Sequence, residues 1–162
     1  MATTKRDGRK ATAGEARGGA HLLDEVAANV LAAHATVKAL HWASPTYGAH
    51  VALDGLAASV SANGDRLVEA LSGAVGARVS PPRALGSIAS VIICGDDHDK
   101  AVDALVAYFG TRLPEALRSL LGPAAATQSL LSIRDEIVND LFKAKYLLNF
   151  FSDGGKPPPE KK

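Results

Sequence analysis

Residues 47–71 read YGAHVALDGLAASVSANGDRLVEAL, and the spacing inside this stretch decides how the chain is understood. His50 and Asp54 stand four residues apart, and so do Asp65 and Glu69. In a helix, residues at that spacing are neighbours on one face. The rest of the stretch is mostly Ala, Val, Leu and Ser, so two ligand-type pairs stand out against an apolar background. At 100° per residue the four side chains fall at about 0°, 40°, 60° and 100° around the axis, and all share one side. At 1.5 Å rise, however, Asp54 and Asp65 lie about 16 Å apart along it. One metal ion cannot be held by both from a single helix.

Each pair is therefore a half-site. A two-fold axis near Ser59-Val60 lays the helix antiparallel to its copy and sets His50-Asp54 of one chain against Asp65-Glu69 of the other. Ala57-Ala58-Ser59-Val60-Ser61-Ala62 around that point is nearly all small and permits close approach. The expectation is a homodimer with two identical intersubunit metal sites. His41, next to Trp42, supplies a further nitrogen from the same side as His50. Imidazole and carboxylate together suit iron, manganese or zinc, and the absence of thiolates leans away from copper(I) and iron–sulfur clusters. On the bland alternative, these charges simply form a polar helix face. Trp42 is read as core, with oxidation in place of more vital groups as a second role, and His34 as a satisfied core or interface histidine. His21 belongs to the helix start.

Outward from this stretch, the chain of 162 residues is 47% hydrophobic with only 5% aromatics. Its core must be built from Ala, Leu and Val, a palette that suits closely packed helices. The single cysteine, Cys94, excludes an internal disulfide framework and a cysteine-based zinc site. No apolar run approaches the roughly 20 residues that span a bilayer, and the basic start is not followed by a secretory apolar core. A cytoplasmic protein with no membrane partner is expected.

The sequence divides into a basic, disordered tail over 1–19, a helical body over 20–152, and a Pro/Lys-rich tail over 153–162. Four main helices are expected: about His21–Trp42, about Tyr47–Leu71 closing at Ser72-Gly73, a third capped by Asp96-Asp97-His98-Asp99 and extending to about Leu121, and about Thr127–Phe151. Between the second and third lies a turn-rich crossing, Ser80-Pro81-Pro82. A short apolar segment follows from Ile88 to Ile93, a strand by propensity but read as helix. Pro114 kinks or restarts the third helix. Four amphipathic helices with a long second-to-third connection describe an all-α four-helix bundle. Asp135, Glu136 and Asp140 read as a solvated acidic face balanced by Arg134, Lys143 and Lys145, with a mineral-nucleating surface as the alternative.

His41-Trp42, His50-(x3)-Asp54 and Asp65-(x3)-Glu69, in this order, resemble the ferroxidase signature of the Dps-type miniferritins, a ferritin-like family. The stretch Leu40–His50 and the pair Ile133–Ile137 and Lys145–Leu148 look closer still to small, uncharacterised ferritin-like proteins of bacteriophages and large DNA viruses. The resemblance covers roughly residues 38–73 and 130–150. It implies a ferroxidase-type oxidoreductase that binds ferrous iron between subunits and oxidises it with hydrogen peroxide or dioxygen. It also implies storage of ferric mineral in a twelve-subunit cage, protecting against oxidative damage. Carried over by position, His41, His50 and Asp54 of one chain and Asp65 and Glu69 of its partner hold the iron, in host cytoplasm or virion if the chain is viral. The competing expectation is a structural or DNA-associated assembly protein with a vestigial site, its basic tails touching phosphates without sequence preference. Solubilisation is the default role of those tails.

Overall fold

A computed structural model describes residues 13–91 and 98–152, and among them every regular element is helical. The protein is all-α. Helix α1 spans Ala13–Trp42 and buries Leu23, Val26, Val30, Ala33 and Val37 along one stripe. It stops where Pro45 withdraws a backbone donor, and Ser44 Oγ turns back to bond the Leu40 carbonyl at 2.9 Å. Helix α2, Tyr47–Val75, opens on Thr46, whose Oγ1 accepts from the Ala49 N–H at 3.2 Å. It closes at Gly76, which adopts φ 64°, a left-handed conformation that glycine enters without penalty. The sequence places both ends of this helix well, apart from one extra turn past Ser72-Gly73.

Helix α3, Pro81–Val91, starts at the two prolines that read as a crossing turn. Proline suits a first helical turn, where its missing N–H has no partner to lose. Buried Asp24 of α1 anchors the start, accepting from the Ser80 N–H at 2.7 Å. The apolar segment from Ile88 is helical as far as Val91; Ile92 and Ile93, with the Asp96-Asp97 cap, lie outside the described residues.

The third rod is α4 (His98–Ala107), a π-helical turn (Tyr108–Arg112) and α5 (Leu113–Leu121) in unbroken succession. Pro114 explains the π turn. An ordinary helix would drive its ring into the carbonyl four residues back. The chain widens instead, and the Leu113 N–H bonds the Tyr108 carbonyl five residues back. Proline thus neither stops nor restarts the rod; the turn before it absorbs the misfit. Gly122, φ 64°, ends α5, and α6 runs Ala125–Ser152.

Helix α2 packs on α1 at one side and on α6 at the other; α6 meets the α4–π–α5 rod, which returns to α1. Leu53, Leu67, Phe109, Leu117, Ile137 and Leu141 fill the centre with no exposure, beside the buried Leu130. The α1–α2 approach is close because Gly64 faces Val30, where a Cβ would come within 2.4 Å of a valine methyl. One expectation shifts. Helix α1 begins at Ala13 rather than near His21, so residues 13–20 are helical and His21 lies well inside the helix. None of the helices among the described residues is long and apolar enough to cross a membrane.

Candidate metal centre

The turn between α1 and α2 brings His41 and His50 face to face, with ring centroids 3.8 Å apart and planes tilted by 32°. Their backbones and rings are interlocked. His41 Nδ1 lies 3.1 Å from the His50 carbonyl oxygen, and His50 Nδ1 lies 3.2 Å from the His41 carbonyl oxygen. A carbonyl only accepts, so each Nδ1 carries the proton and donates. In the neutral rings both Nε2 atoms are then left with a lone pair, the form in which imidazole binds a metal. Metal-ligating histidines commonly fix tautomer and orientation in this way, by giving the other ring N–H to a carbonyl. His41 is 7% exposed, whereas His50 is open to solvent.

Asp54, one turn after His50, reaches the same place: its Oδ1 lies 3.9 Å from His41 Nδ1. The same oxygen accepts from Lys38 Nζ at 3.1 Å. Lys38 is the neighbour that sequence reasoning missed. It stands three residues before His41 on the face of α1 turned towards α2, and that i, i+3 spacing was the available signal. The ammonium is the main reason the Asp54 carboxyl lies below the ordinary aspartate value of 3.8, through the hydrogen bond first and its charge second. Burial opposes the shift, and the two imidazoles add to it. A carboxyl with a lowered folded-state value stays ionised, and keeps its partner, until the pH falls below 3.8 and through that lower value. Replacing Lys38 by Met is expected to move the Asp54 titration upward in carbonyl-carbon NMR; an unmoved midpoint contradicts the pairing.

Asp65 and Glu69 do not join this group within one chain. Both are exposed on α2, and Asp65 lines a shallow groove of about 370 Å³ with Leu31, His34, Ser61 and Ala62. His34 is half-buried there, facing the groove between α1 and α2 rather than the core. Asp54, Ala58, Ser61, Ala62, Asp65 and Glu69 are all exposed along the outer side of α2. Trp42 is 75% exposed, so the expectation of a core tryptophan is corrected: it ends α1 pointing away from the packed centre. Among the described residues, no three His, Cys, Asp or Glu side chains of a single chain form a metal-holding group.

The acidic residues of α6 are taken up by partners. Glu136 pairs with Arg66 of α2 at 2.7 Å, Asp135 with Arg134 at 3.0 Å, and Asp140 accepts from Ser59. Lys145 pairs with Asp103 of α4 rather than with the α6 acids. Comparison with protein-family models, with curated proteins and with solved structures finds no match.

Proposed function

We propose that the chain is a miniferritin-like iron-binding protein that oxidises ferrous iron at sites shared by two copies. The ring of α1, α2, α6 and the α4–π–α5 rod is read as a ferritin-like four-helix bundle, with α3 in the long second-to-third connection. The interlocked His41–His50 pair carries the reading: both imidazoles are held as Nδ1–H tautomers beside the Asp54 carboxylate. The His50 ring also caps the His41 carbonyl at the end of α1, but capping leaves the second exchange, from His41 to the His50 carbonyl, without a purpose. A metal half-site supplies one.

The other half comes from a second copy. The outer side of α2 carries small residues at its middle and the two carboxylates beyond it. An antiparallel copy across Ser59-Val60 sets Asp65 and Glu69 of its own α2 opposite His50 and Asp54. Two nitrogens and three carboxylates then face the substrate ion, nitrogen retaining ferrous iron and oxygen favouring the ferric product. Each ferrous ion gives up one electron, and one hydrogen peroxide takes two electrons with two protons to leave as two waters. Lys38 sets the starting state, because an arriving cation competes with its ammonium for Asp54. Ferric storage in a twelve-subunit cage follows from the same family resemblance.

Anaerobic titration with ferrous iron, followed by a peroxide pulse, tests this reading. Saturable binding near one site per chain and a ferric absorbance rise on peroxide addition are expected. Absence of saturable binding favours the assembly-protein reading with a vestigial site.

A further inference from the structure

Helix α1 ends without a capping glycine; Ala43-Ser44-Pro45 follows Trp42 instead. A helix leaves its last carbonyls without backbone donors, and here side chains supply them. Ser44 Oγ donates to the Leu40 carbonyl at 2.9 Å, and His50 Nδ1 donates to the His41 carbonyl at 3.2 Å. A third donor comes from far along the chain. His98, the first residue of α4, places its Nε2 3.3 Å from the same Leu40 carbonyl oxygen. A carbonyl only accepts, so this Nε2 carries the proton. In sequence His98 belongs to a helix cap; in the structure its half-buried ring reaches back to α1.

We propose that His98 is a positioning residue for the His41–His50 pair, an inference that rests on the metal half-site proposed above. The Leu40 carbonyl and the His41 N–H belong to one rigid peptide plane. Ser44 of the turn and His98 of α4 both hold that plane by its oxygen. The His41 side chain leaves the backbone at the very next atom. Rotation of the plane therefore swings His41 Nδ1 away from the His50 carbonyl, 3.1 Å from it. The reverse bond depends on the same turn, because His50 donates to the carbonyl that follows Leu40. Both halves of the interlock hang on the end of α1, and His98 ties that end to the third rod.

Docking of α4 does not by itself explain the bond. Ala101, Val102 and Leu105 are buried, and Lys145 of α6 holds Asp103. The rod is anchored by these contacts one to two turns further on, which leaves the His98 bond a local effect on the α1 end. A productive site needs its ligands held to within about 0.5 Å. Loss of a ligand's own hydrogen-bond partner costs 10–100-fold in metal affinity. His98 acts one peptide plane away from a ligand, so its effect falls at the lower end of that range.

Imidazole nitrogen NMR of the metal-free full chain, in mildly alkaline buffer, reads the tautomers directly. In the parent, His41 and His50 are expected as Nδ1–H forms. His98→Ala is expected to turn His41 into a mixture of both tautomers. His98→Gln, whose amide N–H₂ can donate to the same carbonyl, is expected to restore the parental form. Tautomers unchanged in His98→Ala overturn the proposal, and so does a mixture that His98→Gln leaves in place. Cobalt(II) titration of the same proteins, followed by visible absorption, gives the second readout. Affinity is expected to fall about tenfold in His98→Ala and to return to within about threefold in His98→Gln. Equal affinity in His98→Ala and the parent overturns the positioning role. The failures are separable: a parent that takes up no cobalt contradicts the half-site and, with it, any metal role for His98, whereas a parent that binds cobalt with or without His98 contradicts the positioning alone.

Discussion

Replacing Asp65 and Glu69 together by Ala is expected to leave the fold intact and to lower ferrous affinity and peroxide-driven oxidation by at least about 100-fold, since removing only an outer-shell partner of a metal ligand already costs 10–100-fold. The two side chains are exposed on α2 and make no contact that builds the core. Single-chain geometry gives no reason for them to matter: His41, His50 and Asp54 gather at the α1–α2 turn, about 16 Å along the helix from Asp65. Their importance arises only if a second chain carries them across a two-fold axis. The change in melting temperature separates this effect from misfolding and is expected to stay small. If the double variant binds and oxidises iron like the parent, the site is not shared and the dimer reading fails.

The largest expected effect on stability is at Phe109. This ring sits inside the π turn with no exposure and meets Tyr108 edge-on at 5.0 Å between centroids. Phe109→Ala removes its buried area and leaves a cavity at a place where the backbone is already committed to the wide turn before Pro114. The cost is about 3–5 kcal/mol, as for other buried phenylalanines. For a domain of this length that corresponds to a fall of roughly 10 °C in melting temperature. Thermal unfolding followed by circular dichroism measures it, and a fall under about 3 °C, the scale of a change near 1 kcal/mol, contradicts the placement of this ring.

Tyr108, beside it, shows how burial acts on a group that keeps a partner. Its hydroxyl titrates far above the ordinary tyrosine value, chiefly because burial disfavours the phenolate and secondly because Glu25 is near; a hydrogen bond with Asn29 pulls the other way. The phenol therefore stays neutral at and well above neutral pH.

The helices were legible from sequence where local signals and burial agree. The Ser44-Pro45-Thr46 break marks the start of α2, and the apolar stripes of α1 and α6 repeat at the helical period; the stop read at Ser72-Gly73 falls one turn before the true cap at Gly76. The start of α1 was not legible. Gly14, Gly18 and Gly19 argue against a helix by propensity. Gly19 is nonetheless buried, and a Cβ there would stand 3.0 Å from Val75; at Gly18 one would meet Leu120 at 3.4 Å. Close packing of three helix ends uses the missing side chains and overrides the local preference. The π turn was hidden for a similar reason, because Pro114 announces a disturbance without saying that the rod continues through it.

For the site, helical spacing shows which ligands share a face and which are too far apart. It placed His50 with Asp54, and Asp65 with Glu69, on one side of α2. The exchange of ring N–H groups for carbonyls across the α1–α2 turn was invisible, because it depends on backbone geometry in a four-residue connection. Lys38 was missed because a lysine beside ligand-type residues reads as an ordinary surface charge until its ammonium is seen on Asp54.

Subunit complementation tests the shared site most directly. His50→Ala damages one half-site and Asp65→Ala the other, so each variant alone is expected to be inactive. In a mixed dimer, the intact His50 half of one chain meets the intact Asp65 half of the other at one of the two symmetric positions. Random mixing makes about half the dimers mixed, each with one of two sites restored, so roughly a quarter of parental peroxide-driven iron oxidation should return on co-refolding. Recovery near that fraction is the predicted result. If the co-refolded variants stay as inactive as either one alone, the account of a site shared between two copies is contradicted.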